Sequence, residues 1–173
     1  PVDLLYNGGI GTYAKASHET HEEVGDRANN SIRVNGSDLQ ARVVAEGGNL
    51  GLTQAARIEA AQGGVLLNSD AIDNSAGVES SDYEVNIKIL LGLLIDSGHL
   101  KEEDRDDVLA EMTDAVAAHV LQTNKDQNVL LLTDRQRLSD WSPSFGRLIT
   151  WLEGAAGLDR ELEVLPTDDD MAE

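Results

Sequence analysis

Residues 46–88, EGGNLGLTQAARIEAAQGGVLLNSDAIDNSAGVESSDYEVNIK, decide how this chain is read. Small and amide residues crowd the stretch where an ordinary core would use bulk, so backbone must come close to something there. Two asparagine loops, Gly47-Gly48-Asn49 and Asn74-Ser75-Ala76-Gly77, each follow an apolar run of β character, residues 41–45 and 64–67. Between those runs, residues 53–62 carry Ala55, Ala56, Ile58, Ala60 and Ala61, a helix with Thr53 as its cap and Gly63-Gly64 as its stop. The order strand, helix, strand predicts a right-handed parallel crossover. Loops at the carboxyl ends of such strands are where α/β proteins bind ligands. Glycine lets main chain approach a ligand, and an Asn amide both donates and accepts hydrogen bonds. That combination suits a nicotinamide, a ribose or an amino acid.

Working outward, Val2-Asp3-Leu4-Leu5-Tyr6 reads as a further short strand running into Asn7-Gly8-Gly9-Ile10-Gly11, a third loop of the same kind. Residues 18–30 are polar with weak helical character. The string His18-Glu19-Thr20-His21-Glu22 is not a zinc helix, because its histidines stand three apart rather than four, and it reads as a solvated helix face. Beyond Gly77 the pattern turns helical. A long helix over residues 78–95 points Val85, Ile89, Leu90, Leu93 and Leu94 inward, pairs Glu84 with Lys88 across one turn, and ends at Gly98. A second, over residues 102–121, uses Val108, Leu109, Met112, Val116, Val120 and Leu121. Residues 129–132 form a buried turn or two, and Ser142-Pro143 caps a last helix packed through Phe145, Leu148, Ile149 and Leu152. The tail over 166–173, with Asp168-Asp169-Asp170, is expected to be disordered rather than a metal site.

The composition sets limits. With 173 residues, 40% of them hydrophobic and only 3% aromatic, the chain can bury an aliphatic core. A net charge of −19, from 13 Lys+Arg against 32 Asp+Glu, opposes nucleic acid and anionic lipid as partners. The absence of cysteine removes disulfides, thiolate metal sites and cysteine nucleophiles, and fits a reducing compartment. No apolar stretch is long enough for a membrane span, Pro1-Val2-Asp3 does not begin a signal peptide, and a cytoplasmic location is expected. The sequons at Asn29 and Asn35 therefore carry no meaning. A Walker loop, a Gly-x-Ser-x-Gly elbow and the dinucleotide fingerprint Gly-x-Gly-x-x-Gly are all missing, and the stretch from Asp73 to Glu84 fails as a calcium loop, so no metal is expected.

Three segments together, Val2 through Asn7-Gly8-Gly9-Ile10-Gly11-Thr12-Tyr13, Glu46-Gly47-Gly48-Asn49-Leu50-Gly51-Leu52-Thr53, and Asp70 through Asn74-Ser75-Ala76-Gly77-Val78 into Ser81-Asp82-Tyr83-Glu84-Val85-Asn86, resemble the NAD-dependent glutamate dehydrogenases of the large bacterial type. The likeness runs on through Met112 to Leu121 and through Leu158-Asp159-Arg160 to Pro166. It implies an α/β fold: residues 1–77 as the last part of a Rossmann-like cofactor domain, a partial parallel sheet of about three strands, followed by a helical segment over 78–165. It further implies that Asn7, Gly8, Gly9, Asn49 and Asn74 face NAD, with Asn49 beside the nicotinamide ribose. Asn74 would also reach the substrate, and Ser81 would hold the side-chain carboxylate of glutamate.

Departures from the smaller dehydrogenases fall within these loops: Asn7-Gly8-Gly9 replaces Pro-Ala-Ala, Ser75-Ala76 replaces Ala-Gly, and Asp82 replaces an aromatic residue. The family's reaction is oxidative deamination of L-glutamate to 2-oxoglutarate and ammonium. Its catalytic lysine and aspartate belong to a substrate domain that nothing here matches, so the resemblance implies a fragment, inactive by itself, of an enzyme that works with the remainder of its polypeptide and as a homo-oligomer. Read without the resemblance, Asn49 and Asn74 also suit turns and Ser81 a helix cap, and the helices after Val78 equally suit a non-catalytic binding or oligomerisation module.

Overall fold

The computed structural model describes residues 2–171. Its first unit extends through Gln127, and its second starts at Asn128. The first unit is mixed α/β. Strand β1 (Val2–Asn7) lies parallel to β4 (Ala41–Glu46), with Leu5 opposite Val44 and Asn7 opposite Glu46. Residues 64–67, expected as a full strand, join β4 only through the parallel bridge Val43↔Leu66, with Val44 N–H donating to the Leu66 carbonyl and Leu66 N–H to that of Arg42, each at 3.0 Å. Gly64 enters with φ +92, which shortens the run available for pairing. A second two-stranded parallel sheet, β2 (Ala14–Lys15) with β3 (Val34–Asn35), had no counterpart in the sequence reading.

Helix α2 (Gln54–Gln62) begins as expected: the Thr53 hydroxyl accepts from Ala56 N–H at 3.1 Å. Its face of small residues buries Ala56 and Ala60 with Val44, Leu52, Val65 and Ala14 to make the core. The close main-chain approach of the helix is to residues 36–38, where a Cβ on Gly36 would stand 2.5 Å from the Ala56 carbonyl oxygen. Residues 18–30 are not one helix. Only α1 (His21–Val24) forms, closed by a Thr20–Glu23 capping box, followed by a 3₁₀ turn over Arg27–Asn29. The reason is the buried Arg33 guanidinium, which draws this segment inward by donating to the Thr12 carbonyl (2.8 Å), to Asn30 Oδ1 (2.7 Å) and to the Asp26 carbonyl, and by meeting His21 Nδ1 (2.9 Å).

Short α3 (Asp70–Asp73) leads into α4 (Ser75–Asp96), then α5 (Arg105–Gln136). Helix α4 stops at a left-handed Gly98, where His99 N–H reaches the Leu94 carbonyl (2.8 Å) and Gly98 N–H that of Ile95 (2.9 Å). The face of α4 turned to α5 is not the expected one. A ridge in steps of four meets α5: Asn124 Nδ2 donates to Ser75 Oγ (2.8 Å), Thr123 Oγ1 to Glu79 Oε1 (3.3 Å), and Tyr83 stacks edge-on against His119 (5.5 Å between centroids). Leu91, further along the ridge, is the residue of α4 that is buried. Val85, Ile89, Leu90 and Leu93 are exposed, and the aliphatic residue of α4 that lines a cleft with Leu109, Met112 and Val116 of α5 is Ile87. On α5, Val120 is buried and Leu121 is not.

In the second unit Val129, Leu130, Leu131 and Leu132 lie within α5 and are exposed, not a separate buried turn. Helix α6 (Leu138–Ala156) starts a turn earlier than Ser142-Pro143 and carries Pro143 inside it. The added turn is held by the Arg137 guanidinium over the Trp141 ring (5.2 Å) and by Trp141 against Phe145 (6.4 Å). Of the acidic tail, Ala172 and Glu173 lie outside the described residues, while Asp168 pairs with Arg160 at 2.8 Å.

Candidate functional site

Because Asn7 and Glu46 are register partners, the loops after β1 and β4 leave the sheet at one rim. Gly47 N–H donates to the Asn7 carbonyl at 2.9 Å. The two loops touch main chain to main chain: a Cβ on Gly48 would stand 2.5 Å from the Gly9 carbonyl oxygen, and one on Gly51 would collide with the Asn7 amide and the Glu46 carboxylate. At Gly48 backbone leaves no room for a side chain, and at Gly51 the Asn7 and Glu46 side chains would have to move to admit one. The third loop arrives through Asn74, which precedes α4 and donates from Nδ2 to Asn49 Oδ1 at 3.3 Å. Asn7, Gly8, Gly9, Asn49 and Asn74 therefore gather on one side of the fold.

Their amides are not equivalent. Asn7 is engaged within the protein, Nδ2 with Glu46 Oε1 (3.5 Å) and Oδ1 with Gly9 N–H (3.4 Å), so its side chain shapes the loop. Among the described residues the Asn49–Asn74 pair leaves Asn49 Nδ2 and Asn74 Oδ1 without a further hydrogen bond; Asn49 is exposed, and Asn74 Oδ1 turns toward Gly77, where a Cβ would stand 2.5 Å from it. Ser81 is also exposed. It lies on α4 seven residues after Asn74, two helical turns and about 10 Å along the same stripe, away from the ridge that meets α5. Among the described residues no hydrogen bond joins Ser81 to the amide cluster.

Sequence reasoning missed what lies beneath the rim. Glu46, the last residue of β4, is fully buried and pairs with the buried Arg57 of α2. Arg57 also donates to the carbonyls of Asn68 (3.0 Å) and Leu52 (3.5 Å). Asp73 accepts from Glu46 N–H (2.9 Å) and Asn68 Nδ2 (3.2 Å), and Asp70 accepts from Leu50 N–H (2.7 Å). Leu50, a non-glycine residue at φ +60, is held from its other side by Thr12 Oγ1 donating to its carbonyl at 2.6 Å. One signal was present in the sequence: an arginine standing in the alanine face of a helix.

The three carboxylates of this region are thus turned toward main-chain N–H groups or a guanidinium, and a chain of charge −19 presents neutral amides and bare backbone at the rim. Thr12 itself is fixed by Asp26, which accepts from its N–H (2.8 Å). The Asp26 carboxyl is held below the usual aspartate range first by the Asn29 amide and then by that Thr12 N–H. Beside Asn7 a largely apolar cleft of about 300 Å³ opens between β1 and β2, lined by Leu5, Tyr6, Tyr13, Val44 and Leu52.

The class these features define is an α/β protein with an amide and glycine rim at the carboxyl ends of parallel strands. The chain belongs to the family described as bacterial NAD-glutamate dehydrogenase, catalytic domain, whose profile matches residues 1–134. It is 51% identical over 173 residues to an NAD-specific glutamate dehydrogenase of Pseudomonas aeruginosa, and 49% identical over 172 residues to one of Mycobacterium tuberculosis. A third, from Halomonas elongata, is 51% identical over 176 residues. These alignments cover 99–100% of this chain and 11% of each relative, so the chain spans about a ninth of the proteins it matches.

Proposed function

We propose that this chain supplies the nicotinamide side of the cofactor cleft in an enzyme that oxidatively deaminates L-glutamate to 2-oxoglutarate and ammonium with NAD, and that β1, β4 and residues 64–67 are part of a larger Rossmann-like sheet. One observation carries the reading: the Asn49–Asn74 amide pair, joined by a hydrogen bond at the rim shared by three strand-end loops, with Asn49 Nδ2 and Asn74 Oδ1 making no further hydrogen bond among the described residues. A primary carboxamide such as that of nicotinamide carries the complementary pair, an acceptor oxygen and a donor NH₂, so the donor set fits. NAD, when bound, supplies the hydride acceptor for the α-carbon of glutamate.

The residues here bind and orient. Asn49 and Asn74 fix the face of the nicotinamide, the main chain of Gly8 and Gly9 admits close approach, Asn7 holds that loop in shape, and Ser81 receives the distal carboxylate of glutamate along the α4 stripe. The proton chemistry belongs to parts of the enzyme outside this chain.

In a full-length enzyme, Asn49→Ala and Asn74→Ala are each expected to raise the NAD Michaelis constant roughly fivefold, the equivalent of about 1 kcal/mol for a lost neutral hydrogen bond. Asn74→Ala and Ser81→Ala should raise that of glutamate. Unchanged constants for both ligands in all three variants would remove the reading.

A second reading, a helical module for binding or oligomerisation, is favoured by the exposed Val85, Ile89, Leu90 and Leu93 on α4 and by Leu121 on α5. Those surfaces equally suit cover by the rest of the same polypeptide. Sedimentation of the chain separates the two, since self-association through these faces supports the module and a monomer argues for cover in cis.

A further inference from the structure

We propose that Arg57 is a positioning residue that sets the spacing of Asn49 and Asn74 from beneath, an inference that rests on the cofactor-cleft reading above. Helix α2 buries alanines against β4, and Arg57 is the exception on that face. A buried ion pair is commonly no more stabilising than apolar residues of the same volume, so stability alone gives no reason for the pair. What Arg57 does is connect. Its guanidinium reaches the Glu46 carboxylate at the end of β4, the Leu52 carbonyl just past the Asn49 loop, and the Asn68 carbonyl at the start of the segment that carries Asn74.

The connections close on themselves. Asn68 donates to Asp73 Oδ1, Glu46 N–H donates to Asp73 Oδ2, and Glu46 returns to Arg57. Asp70 fastens Leu50, the residue next to Asn49. Arg57, Glu46, Asp73 and Asn68 thus form a ring under the two loops, and the distance between the amides is set by that ring. A planar fork with several fixed donors serves three acceptors on separate segments, whereas a lysine head cannot hold all three in one geometry.

The test uses a full-length enzyme carrying Arg57→Lys, and separately the apolar exchange Glu46→Leu with Arg57→Met, with Asn49→Ala and Asn74→Ala in parallel. Three quantities are measured: the melting temperature, the NAD dissociation constant by calorimetry, and amide hydrogen exchange over residues 47–53 and 68–75. The apolar double variant should melt close to the parent, bind NAD about tenfold or more weakly, and exchange faster in both segments, with Arg57→Lys intermediate. A folded double variant with parental NAD affinity and parental exchange overturns the proposal. Should the double variant not fold, Arg57→Lys decides, and parental affinity and exchange there overturn it as well. If instead Asn49→Ala and Asn74→Ala leave NAD binding untouched, it is the cleft reading that fails, while the exchange data still report whether Arg57 holds the loops.

Discussion

Leu50 shows the residue scale most clearly. Its φ of +60 is a left-handed conformation that a non-glycine residue adopts at a cost of about 1–2 kcal/mol, and it persists because Asp70 grips its N–H and Thr12 its carbonyl. Leu50→Val adds a branch at Cβ that disfavours positive φ further, and should cost roughly another 1–2 kcal/mol in urea unfolding. A neutral result would mean the loop relaxes elsewhere. The same scale explains what could be read from sequence. Asn7, Asn49, Asn74 and the glycines announce themselves by chemistry, since amides and absent side chains have few other uses in such numbers. The pairing of Glu46 with Arg57 does not, because eleven residues and a loop separate them and only the packed helix brings charge to charge.

At the scale of elements, starts and stops were legible and faces were not. Thr53 and Gly98 act locally, so sequence locates the ends they make. Thr53 does more than cap α2: its hydroxyl also donates to Glu19 Oε2, tying the helix start to the segment after β2. Thr53→Ala should therefore cost about 1–2 kcal/mol, the upper part of the range for a lost cap, whereas Thr53→Ser should restore most of it. A loss within a few tenths, measured by thermal or urea unfolding, would show that the Glu19 contact and cap add nothing to α2. The rotation of α4 escaped the hydrophobic pattern because its contact ridge is Ser75, Glu79 and Tyr83, residues whose partners Asn124, Thr123 and His119 lie on a helix far along the chain. Pro143 misled for a related reason: the Arg137–Trp141–Phe145 stack builds a helical turn ahead of it and offsets the hydrogen bond a proline cannot donate.

For the whole molecule the dominant quantity is charge. At neutral pH a formal −19 on 173 residues repels itself, and Lys and Arg are too few to cancel it pairwise. Opposing this are carboxylates held below their ordinary pKa: Asp26 by the Asn29 amide and Thr12 N–H, Glu59 by the Ser17 hydroxyl and then the Ser17 and Ser37 N–H groups, and Glu23 by the Thr20 backbone and hydroxyl. A depressed carboxylate stabilises the fold above its unfolded pKa of about 4, and that contribution is lost as pH falls through the lower folded value. Self-repulsion runs the other way, fading as pH approaches the isoelectric point near 4.3. The two together predict a melting temperature that rises from pH 7 to about pH 5 and falls below about pH 4. Added salt separates the causes. About 0.5 M NaCl shortens the screening length to a few ångströms, so it should raise the melting temperature at pH 7, do little near pH 4.3, and leave the acid-side loss in place, because the hydrogen bonds to Asp26 and Glu59 are short-range. Salt that lowered the melting temperature at pH 7 would show that the ion pairs of Arg33, Arg57 and Arg160 outweigh the repulsion of the surplus carboxylates.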